Sequence, residues 1–413
     1  MSISNMKMLK HFLFLSTVTA VCCLLPVARC YSAVADESKI FTPYFNMSLS
    51  EGVYVPSKGD FFSGGGIDTQ VGLLAKTAPK HSFLGLYGLR YAGPGFQPQD
   101  SRQFQERSLA HSFNLEYRRE LADSFKFRPG VAYTREFKRT GAGELWENGL
   151  YNMNSFGGQL AVDYAFDWKG EGILTAQYLM RHMGFPNYTD LLREFQNAGT
   201  ASELSGGLQD QILGQASLKF RWNSFFGGFS QSWQHYVNEK VIERTGVYGK
   251  KAQKDTTTVL DAGVRKKLWI FETAPSIAYS IHRSNQNFLR FAYFGDIAPV
   301  LVMGNYDYNE LDLNVPADLL ITKKWAVSGG IDIVKRTYTS RPPRDSENNY
   351  VRGQKQSNLL TTLSCGFRKR LNDVAAVRLT YAVVVAKSNN HFEKYLPYNY
   401  SGQHFGISYQ LSY

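Results

Sequence analysis

Apolar and polar residues alternate along the chain with a period of two positions. At the end of the sequence Phe405, Ile407, Tyr409, Leu411 and Tyr413 alternate with polar or small residues. Because successive side chains of a β-strand point to opposite faces, this alternation predicts strands with one apolar face. Segments of about ten residues with the same pattern recur after residue 35, for example at 67–76, 109–118, 156–168, 212–222 and 377–385.

The stretches between these segments are alternately short and long. Seven short turns and eight longer polar stretches divide the chain into sixteen predicted strands. An even number of antiparallel strands, with tight periplasmic turns at one end and long outer loops at the other, is typical of an all-β, up-and-down transmembrane β-barrel. The short turns are expected near 78–80, 121–124, 169–171, 223–224, 268–272, 317–323 and 370–372, and the long loops near 56–65, 92–107, 139–153, 183–208, 238–255, 285–302, 339–355 and 388–399.

One region leaves the strand count open. Residues 285–316 alternate poorly and could form either one strand or a loop. Pro129 and Pro275 fall inside proposed strands, where a proline removes a hydrogen bond from the ladder. Fourteen strands are therefore the alternative to sixteen.

Aromatic residues mark the ends of the predicted strands. The chain has 25 tyrosines and 28 phenylalanines, and Tyr117, Phe156, Trp168 and Trp222 lie at such ends. This placement is typical of the aromatic girdles at the two membrane interfaces of a barrel. A soluble β-sandwich or β-propeller is the alternative, but its strands need no aromatic ends, and the chain shows no blade-like repeat. The pattern favours a membrane barrel.

The N-terminus has the pattern of a secretory signal peptide. Lys7 and Lys10 precede an apolar run over 12–28, and Ala33 and Ala35 form a small-residue cleavage motif. An uncleaved membrane anchor is the alternative, although the apolar run is short for a span. We therefore expect export.

The predicted domains are a cleaved signal peptide over 1–35 and a single barrel over 36–413. Only Cys365 of the four cysteines lies after the signal, so the exported protein is expected to have no internal disulfide. Cys30 also fits a lipoprotein site, but Arg29 stands where such a site needs a small residue. The formal net charge of the full chain is +11, and cleavage of the signal peptide removes basic but no acidic residues.

With this pattern the whole chain after the signal resembles bacterial outer-membrane β-barrel proteins as a general class. The closing strand of such proteins alternates to the last residue and ends on an aromatic side chain, most often Phe, where this chain has Tyr413. The resemblance implies a location in the cell outer membrane, contact with its lipids and lipopolysaccharide, and recognition of the closing strand by the barrel assembly machinery. The implied assembly-signal residues are Phe405, Ile407, Tyr409, Leu411 and Tyr413.

The polar face of the strands is expected to line the interior of the barrel. Its basic residues outnumber its acids in the predicted register, and sixteen strands enclose an interior too wide for side chains to fill. We therefore expect a water-filled, positively biased lumen that attracts small hydrophilic, preferentially anionic solutes. For any single residue, pairing with an opposite charge on a neighbouring strand is the alternative. The predicted pore-lining residues are Arg118, Arg128, Asp163, Lys219, Arg221, Asp261, Arg265, Asp332, Arg336, Arg368 and Arg378.

The longest loop, over 183–208, contains the only helix-like pattern after the signal. A threonine cap, an acid in the first turn and a glycine just past the end flank three apolar residues at helical spacing. This helix is expected either to pack over the barrel rim or to fold into the lumen and constrict it. The residues concerned are Thr189, Asp190, Leu191, Leu192, Phe195 and Gly199.

The sequence offers no motif for catalysis, metal binding or cofactor binding. The stretch GFSQS, which begins at Gly228, lacks the second glycine of a nucleophile elbow, and no histidine spacing suits a metal. His404 and Ser408 share a face but lie about 13 Å apart along a strand, too far for a nucleophile and its base. We expect no enzyme, no cofactor and no nucleic-acid partner.

The sequence thus predicts an outer-membrane porin-like channel or export conduit for hydrophilic, preferentially anionic solutes. The alternative is a structural or adhesive outer-membrane barrel whose surface loops bind ligands and which does not conduct. The pattern indicates no oligomeric state.

Overall fold

The computed structural model describes residues 40–58, 61–93, 106–140, 144–189, 206–291, 299–393 and 397–413. These residues form strands and one short 3-10 helix, Trp146–Asn148. The strands are β1 (Phe41–Pro56), β2 (Phe62–Ala78), β3 (His81–Gly93), β4 (Arg107–Ala122), β5 (Phe125–Arg139), β6 (Met153–Asp167), β7 (Glu171–Gly184), β8 (Gln211–Trp222), β9 (Phe225–Ile242), β10 (Tyr248–Val264), β11 (Lys266–Leu268), β12 (Phe271–Thr273), β13 (Ser276–Ser284), β14 (Asn287–Arg290), β15 (Val300–Met303), β16 (Tyr308–Leu320), β17 (Trp325–Tyr338), β18 (Ser357–Arg370), β19 (Ala375–Ser388) and β20 (Tyr400–Ser412).

All strands except β14 and β15 belong to one antiparallel sheet that closes on itself. β10 and β11 are one barrel strand interrupted at Arg265, and β12 and β13 are one barrel strand interrupted at Ala274 and Pro275. The barrel therefore has sixteen strands, which confirms the predicted number over the alternative of fourteen. β14 and β15 form a separate hairpin within the connection to β16.

β1 and β20 close the barrel. Their pairing runs from Asn46 opposite Ser412 to Pro56 opposite Gly402, while the other edge of β1 pairs with β2. Each barrel strand thus has a neighbour on both sides, and in lipid this pairing satisfies the backbone N–H and C=O groups. This pairing closes the sheet into the barrel that the sequence pattern predicts.

Two prolines lie where the ladder of hydrogen bonds is interrupted. Pro129 is within β5, and the pairing of β5 with β4 skips the position of Pro129. Pro275 lies between β12 and β13, where its carbonyl oxygen accepts a hydrogen bond from Val264 N at 3.0 Å. Because a proline has no N–H to donate, the sheet tolerates it at such breaks.

The weakly patterned stretch 285–316 contains the β14–β15 hairpin and the first part of β16. The hairpin stands apart from the closed sheet, so its side chains follow no alternation between lipid and lumen. This explains why the sequence pattern fails there although the barrel strands on both sides are regular.

The seven predicted short turns join strands at one end of the barrel, and the other connections join them at the opposite end. The predicted loop over 238–255 is too long, because β9 continues to Ile242 and β10 begins at Tyr248, with shifts of register between Tyr248 and Lys254. Polar residues occupy both faces of this hairpin, and alternation of apolar and polar positions therefore does not reveal it.

The outward face of the sheet carries large apolar side chains. Leu115, Val131 and Leu160 are 40%, 45% and 51% exposed. The buried hydrophobic residues of the described ranges are small, namely Ala161, Val241, Ala326 and Ala375. A protein core therefore contributes little, and lipid is the medium that covers this apolar surface. No helix among the described residues has the length and apolar character needed to cross a membrane.

Aromatic rings cluster at the end of the barrel with the short turns. Trp168 and Trp222 stack with ring centroids 5.6 Å apart, and Phe225 lies 6.2 Å from Trp222. On another side of the barrel Trp325 and Phe367 are 4.9 Å apart. Such a belt suits the interface between lipid tails and water.

A charge on the outward face should destabilise the barrel, whereas the same charge on the neighbouring interior position should not. We expect Leu115→Arg to lower the free energy of unfolding in lipid vesicles by about 2–4 kcal/mol, because an arginine near the bilayer midplane loses its hydration. Asn114→Arg is the matched control. Denaturant titration of both variants measures the difference, and equal losses would contradict the assignment of the two faces.

Candidate functional site

The strand register assigns the residues of each strand to two faces. Phe113 and Leu115 of β4 are exposed apolar residues, so Asn114 and Glu116, which alternate with them, face the interior. Residues directly opposite each other on neighbouring strands lie on the same face of the sheet. The strand pairings therefore extend this assignment around the barrel. Ten of the predicted pore-lining residues lie on strands, and the register places each of them on the interior face: Arg118, Arg128, Asp163, Lys219, Arg221, Asp261, Asp332, Arg336, Arg368 and Arg378. Arg265 lies at the interruption between β10 and β11. Their role in conduction stays a prediction.

Glu116 is the centre of an ionic network on the interior wall formed by β4 to β7. Its carboxylate accepts hydrogen bonds from Arg118 Nε at 2.6 Å and from an Arg128 guanidinium nitrogen at 3.2 Å. Gln159 Nε2 donates to the same carboxylate at 3.3 Å. Glu116 is 9% exposed, so these partners compensate for the loss of water around its charge.

Arg128 extends this network to β6 and β7. It holds Asp163 with two hydrogen bonds, from Nε at 2.6 Å and from a second guanidinium nitrogen at 2.9 Å. Thr175 donates its hydroxyl hydrogen to Asp163 at 2.7 Å. The two-pronged geometry fixes both side chains. On this wall the charges neutralise one another, as the alternative interpretation of the sequence expected for single residues.

A second group of charges lies on β16 and β17. Arg336 Nε donates to Glu310 at 2.7 Å, and its guanidinium carbon lies 4.2 Å from the centroid of the Tyr308 ring. Asn314 donates to Asp332 at 3.1 Å. Arg336 and Asp332 were expected on the interior face, but their partners on β16 were not.

The register adds acids to the interior face that sequence analysis missed. Three of them belong to β16, which lies largely in or next to the poorly patterned stretch, one lies on β12 within the predicted short turn near 268–272, and one lies on β10 within the predicted loop over 238–255. The interior is therefore less positively biased than the sequence suggested. The added acids are Asp255, Glu272, Glu310, Asp312 and Asp318.

Basic residues near the short turns differ from those of the ionic network. They come as pairs on one face of a strand, all six are exposed, and no carboxylate of the described residues lies within 4.0 Å of them. The pairs are Lys219 and Arg221 on β8, Arg265 and Lys267 at the start of β11, and Arg368 and Arg370 on β18.

Arg368 also faces a second arginine. It lies directly opposite Arg378 of β19 in the register, and Arg378 donates a hydrogen bond to Ser328 Oγ at 3.1 Å. Like charges at directly opposed positions repel each other. Water in the interior, or an anion between the two guanidinium groups, would relieve this repulsion.

A cavity of about 610 Å³ lies at the end of the barrel with the long connections. Its wall combines interior residues of β9, β10, β13, β16 and β17 with residues of the connections. A smaller cavity of about 300 Å³ shares Tyr306 and Arg341 with it. The tyrosines around the larger cavity are Tyr151, Tyr188, Tyr236, Tyr248, Tyr306, Tyr308 and Tyr338.

The two described ends of the 185–210 connection meet at this cavity. Gly207 N donates to Phe185 O at 3.0 Å, and Leu208 N donates to Tyr188 O at 3.2 Å. Thr189, the expected helix cap, lines the cavity. The other predicted helix residues, Asp190, Leu191, Leu192, Phe195 and Gly199, lie outside the described residues.

The predicted assembly signal is on the outward face of β20. Phe405 and Ile407 are 47% and 50% exposed, and Phe405 packs against Tyr381 at 4.9 Å between ring centroids. Tyr409 and Leu411 follow on the same face, and Tyr413 is exposed. Recognition by the assembly machinery stays a prediction.

Neither a metal cluster nor a disulfide is found among the described residues. No group of three or more histidine, cysteine, aspartate or glutamate side chains in this part of the chain could hold a metal ion. Cys365 is a free, exposed cysteine on the outward face of β18.

Comparison with known proteins finds similar solved structures at low sequence identity. No protein-family model matches the chain, and no curated protein matches it. An in-vitro folded OmpT, an outer membrane protein of Vibrio cholerae, is 12% identical, with 92% of this chain and 100% of that chain covered and a TM-score of 0.47. A bacterial polysaccharide outer membrane secretin is 10% identical, with 89% and 98% covered and a TM-score of 0.45. These similar structures are bacterial outer-membrane β-barrel proteins, and the fold of this chain is a closed antiparallel barrel of sixteen strands. The Pseudomonas putida toluene transporter TodX is 10% identical, with 89% of each chain covered and a TM-score of 0.37.

The prediction that the chain is not an enzyme is wrong as a conclusion from the sequence, because the absence of a sequence motif does not exclude catalysis. OmpT barrels are among the similar solved structures, and a shared fold at 12% identity leaves enzymatic activity undecided. A motif search detects only residues that are close in sequence, whereas a barrel brings together side chains from different strands. Asp255 of β10 and His282 of β13, for example, lie on adjacent strands.

Proposed function

We propose that the protein is a porin-like channel for hydrophilic solutes with a mild preference for anions. The exposed basic pairs near the short turns carry this proposal. They lie at the interior of a sixteen-strand barrel, which is wider than the eight-strand barrels that side chains fill. At the same end Glu116 and Asp163 are held by Arg118 and Arg128. Glu272, opposite Lys267, and its neighbour Asp318 offset part of the positive field, and the remaining basic residues keep its sign positive.

The preference is expected to be mild because acids are also present. Asp312 and Asp332 lie on the interior face of β16 and β17, at a distance along the sheet from Lys219, Arg221, Arg368 and Arg378. An anion in the lumen would bind near the basic pairs, away from Asp312 and Asp332. A local excess of positive charge attracts anions even when the total charge of the lumen is close to balanced.

We expect the reversal potential in a planar bilayer under a KCl gradient to show that chloride permeates better than potassium. Replacing both Arg368 and Arg378 by Gln should lower the chloride-to-potassium permeability ratio roughly twofold, because it removes the opposed guanidinium pair from the water-filled interior. The matched control is Lys369→Gln. Lys369 is next to Arg368 but faces outward, where it lies 4.8 Å from the centroid of the Trp325 ring.

Three outcomes would refute the proposed anion-preferring channel. They are a wild-type preference for potassium, an equal effect of the outward control, and the absence of any conductance from a barrel that folds normally. The last outcome would favour a structural or adhesive barrel whose loops bind outside partners.

The 185–210 connection is proposed to narrow the lumen. The position of the two described ends of this connection supports the proposal. Both ends line the cavity together with interior residues of the strands, through Tyr188, Thr189, Leu208 and Gln209. Asn187 Nδ2 ties the same connection to Glu147 O at 2.7 Å.

Deleting residues 190–205 and joining Thr189 to Gly206 through a short glycine linker should raise single-channel conductance severalfold, because a wider lumen admits more ions. The hydrogen bonds between the two ends of the connection allow this closure. Replacing the same residues by an equally long glycine–serine segment separates removal of the segment from loss of its side chains. Unchanged conductance after the deletion, in a barrel that still resists heat on gels, would place the segment outside the ion path.

A further inference from the structure

The tyrosine-lined cavity at the end with the long connections is distinct from the basic pairs near the short turns. At about 610 Å³ it falls in the size range of ligand pockets, roughly 300–1,000 Å³. We propose that this cavity is a binding site for an uncharged oligosaccharide. The assignment does not depend on conduction, and it follows from three properties of the wall.

The first property is a fixed polar floor. Asp255 is 7% exposed, and its carboxylate accepts hydrogen bonds from Gln253 Nε2 at 3.1 and 3.3 Å and from the Tyr236 hydroxyl. Gln286, also 7% exposed, donates to Gln253 Oε1 at 3.0 Å and accepts from Ile242 N at 2.9 Å. A carboxylate offers about four acceptor positions, so Asp255 retains capacity for a ligand hydroxyl without leaving its protein partners.

The second property is a set of tyrosine rings that their neighbours hold in place. Tyr308 stacks on His282 with centroids 4.8 Å apart, and Tyr338 meets the edge of the Tyr308 ring at 5.9 Å. Tyr151 and Tyr188 lie 5.6 Å apart on the side of the connections. A tyrosine offers a flat apolar ring and a polar edge at little cost in conformational freedom. Sugar rings have the matching shape, with C–H faces and hydroxyl edges.

The third property is the charge of the wall. Asp255 and Glu239 oppose a single guanidinium, Arg341, and this balance does not favour an anion. A purely apolar ligand would leave Asp255 and the glutamines without hydration. Burial raises the pKa of the Tyr306 hydroxyl, with Arg341 acting in the opposite direction, so this group stays a protonated donor at neutral pH. An uncharged, hydroxyl-rich ligand satisfies both the donors and the acceptors.

The smaller cavity of about 300 Å³ makes the site elongated. It shares Tyr306 and Arg341 with the larger one and adds Arg344 and Tyr350, with the Arg344 guanidinium 4.6 Å from the Tyr350 ring. Over both cavities two guanidinium groups therefore balance Asp255 and Glu239. Two neighbouring cavities that share a tyrosine and an arginine in their walls fit several sugar units in a row better than a single one. The ligand class is therefore an oligosaccharide.

The test is a glycan array read with labelled, detergent-solubilised full-length protein, followed by calorimetric titration with the best ligand. The array carries uncharged hexasaccharides of glucose, galactose, mannose and N-acetylglucosamine beside sulfated, uronic-acid and amino-sugar oligomers. Binding to at least one uncharged hexasaccharide is expected. No uncharged ligand, or a preference for the charged oligomers, would overturn the proposal whether or not the barrel conducts.

Variants locate the site. Asp255→Asn and Tyr306→Ala should each weaken binding of the best hexasaccharide at least tenfold. Asp261→Asn is the matched control, because Asp261 lies on the same face of β10 but outside the cavity wall, and it should leave affinity unchanged. Tyr306 lies in a turn, so its variant remains informative if Asp255→Asn fails to fold. Affinity that Tyr306→Ala leaves intact, or that Asp261→Asn lowers equally, would contradict the site.

Discussion

The structure depends on the pairing of β1 with β20. In a bilayer no water is available for the backbone, so a sheet can span it only when every edge has a partner. The two strands satisfy this condition from Asn46 opposite Ser412 to Pro56 opposite Gly402. All other features, the outward apolar face, the polar interior and the connections at the two ends, are arranged around the closed sheet that this pairing creates.

Closure also determines what charges can do. Residues that are distant in sequence face one another across neighbouring strands, so Glu116, Arg128 and Asp163 neutralise one another on one wall. Arg368 and Arg378 are held opposite each other without a carboxylate partner among the described residues. The same types of side chain therefore stiffen the barrel in one place and leave charge exposed to the lumen in another. The proposed anion preference rests on this difference.

Features with a period of two were predictable from the sequence. The alternation around Phe405 and Tyr409 placed β20, and the alternation around Arg378 placed that arginine on the interior face. Pairings across strands were not predictable, because nothing in the sequence next to Arg128 indicates that Asp163 will be its partner. The tyrosine-lined cavity combines β9, β10, β13, β16, β17 and four connections, so only the register brings its residues together. The extension of β9 and β10 escaped prediction because both of its faces are polar.

Disulfide trapping of the closing pair tests the central claim most directly. In a Cys365→Ser background, Ser50→Cys and Ser408→Cys would lie directly opposite each other on the interior face, where the spacing of paired strands permits a disulfide. We expect oxidation to cross-link this pair efficiently in outer membranes and to keep the barrel compact on gels after heating. The control pair, Ser50→Cys with Ile407→Cys, has side chains on opposite faces and should not cross-link. Equal cross-linking of both pairs, or none of Ser50→Cys with Ser408→Cys, would contradict a barrel closed by β1 and β20.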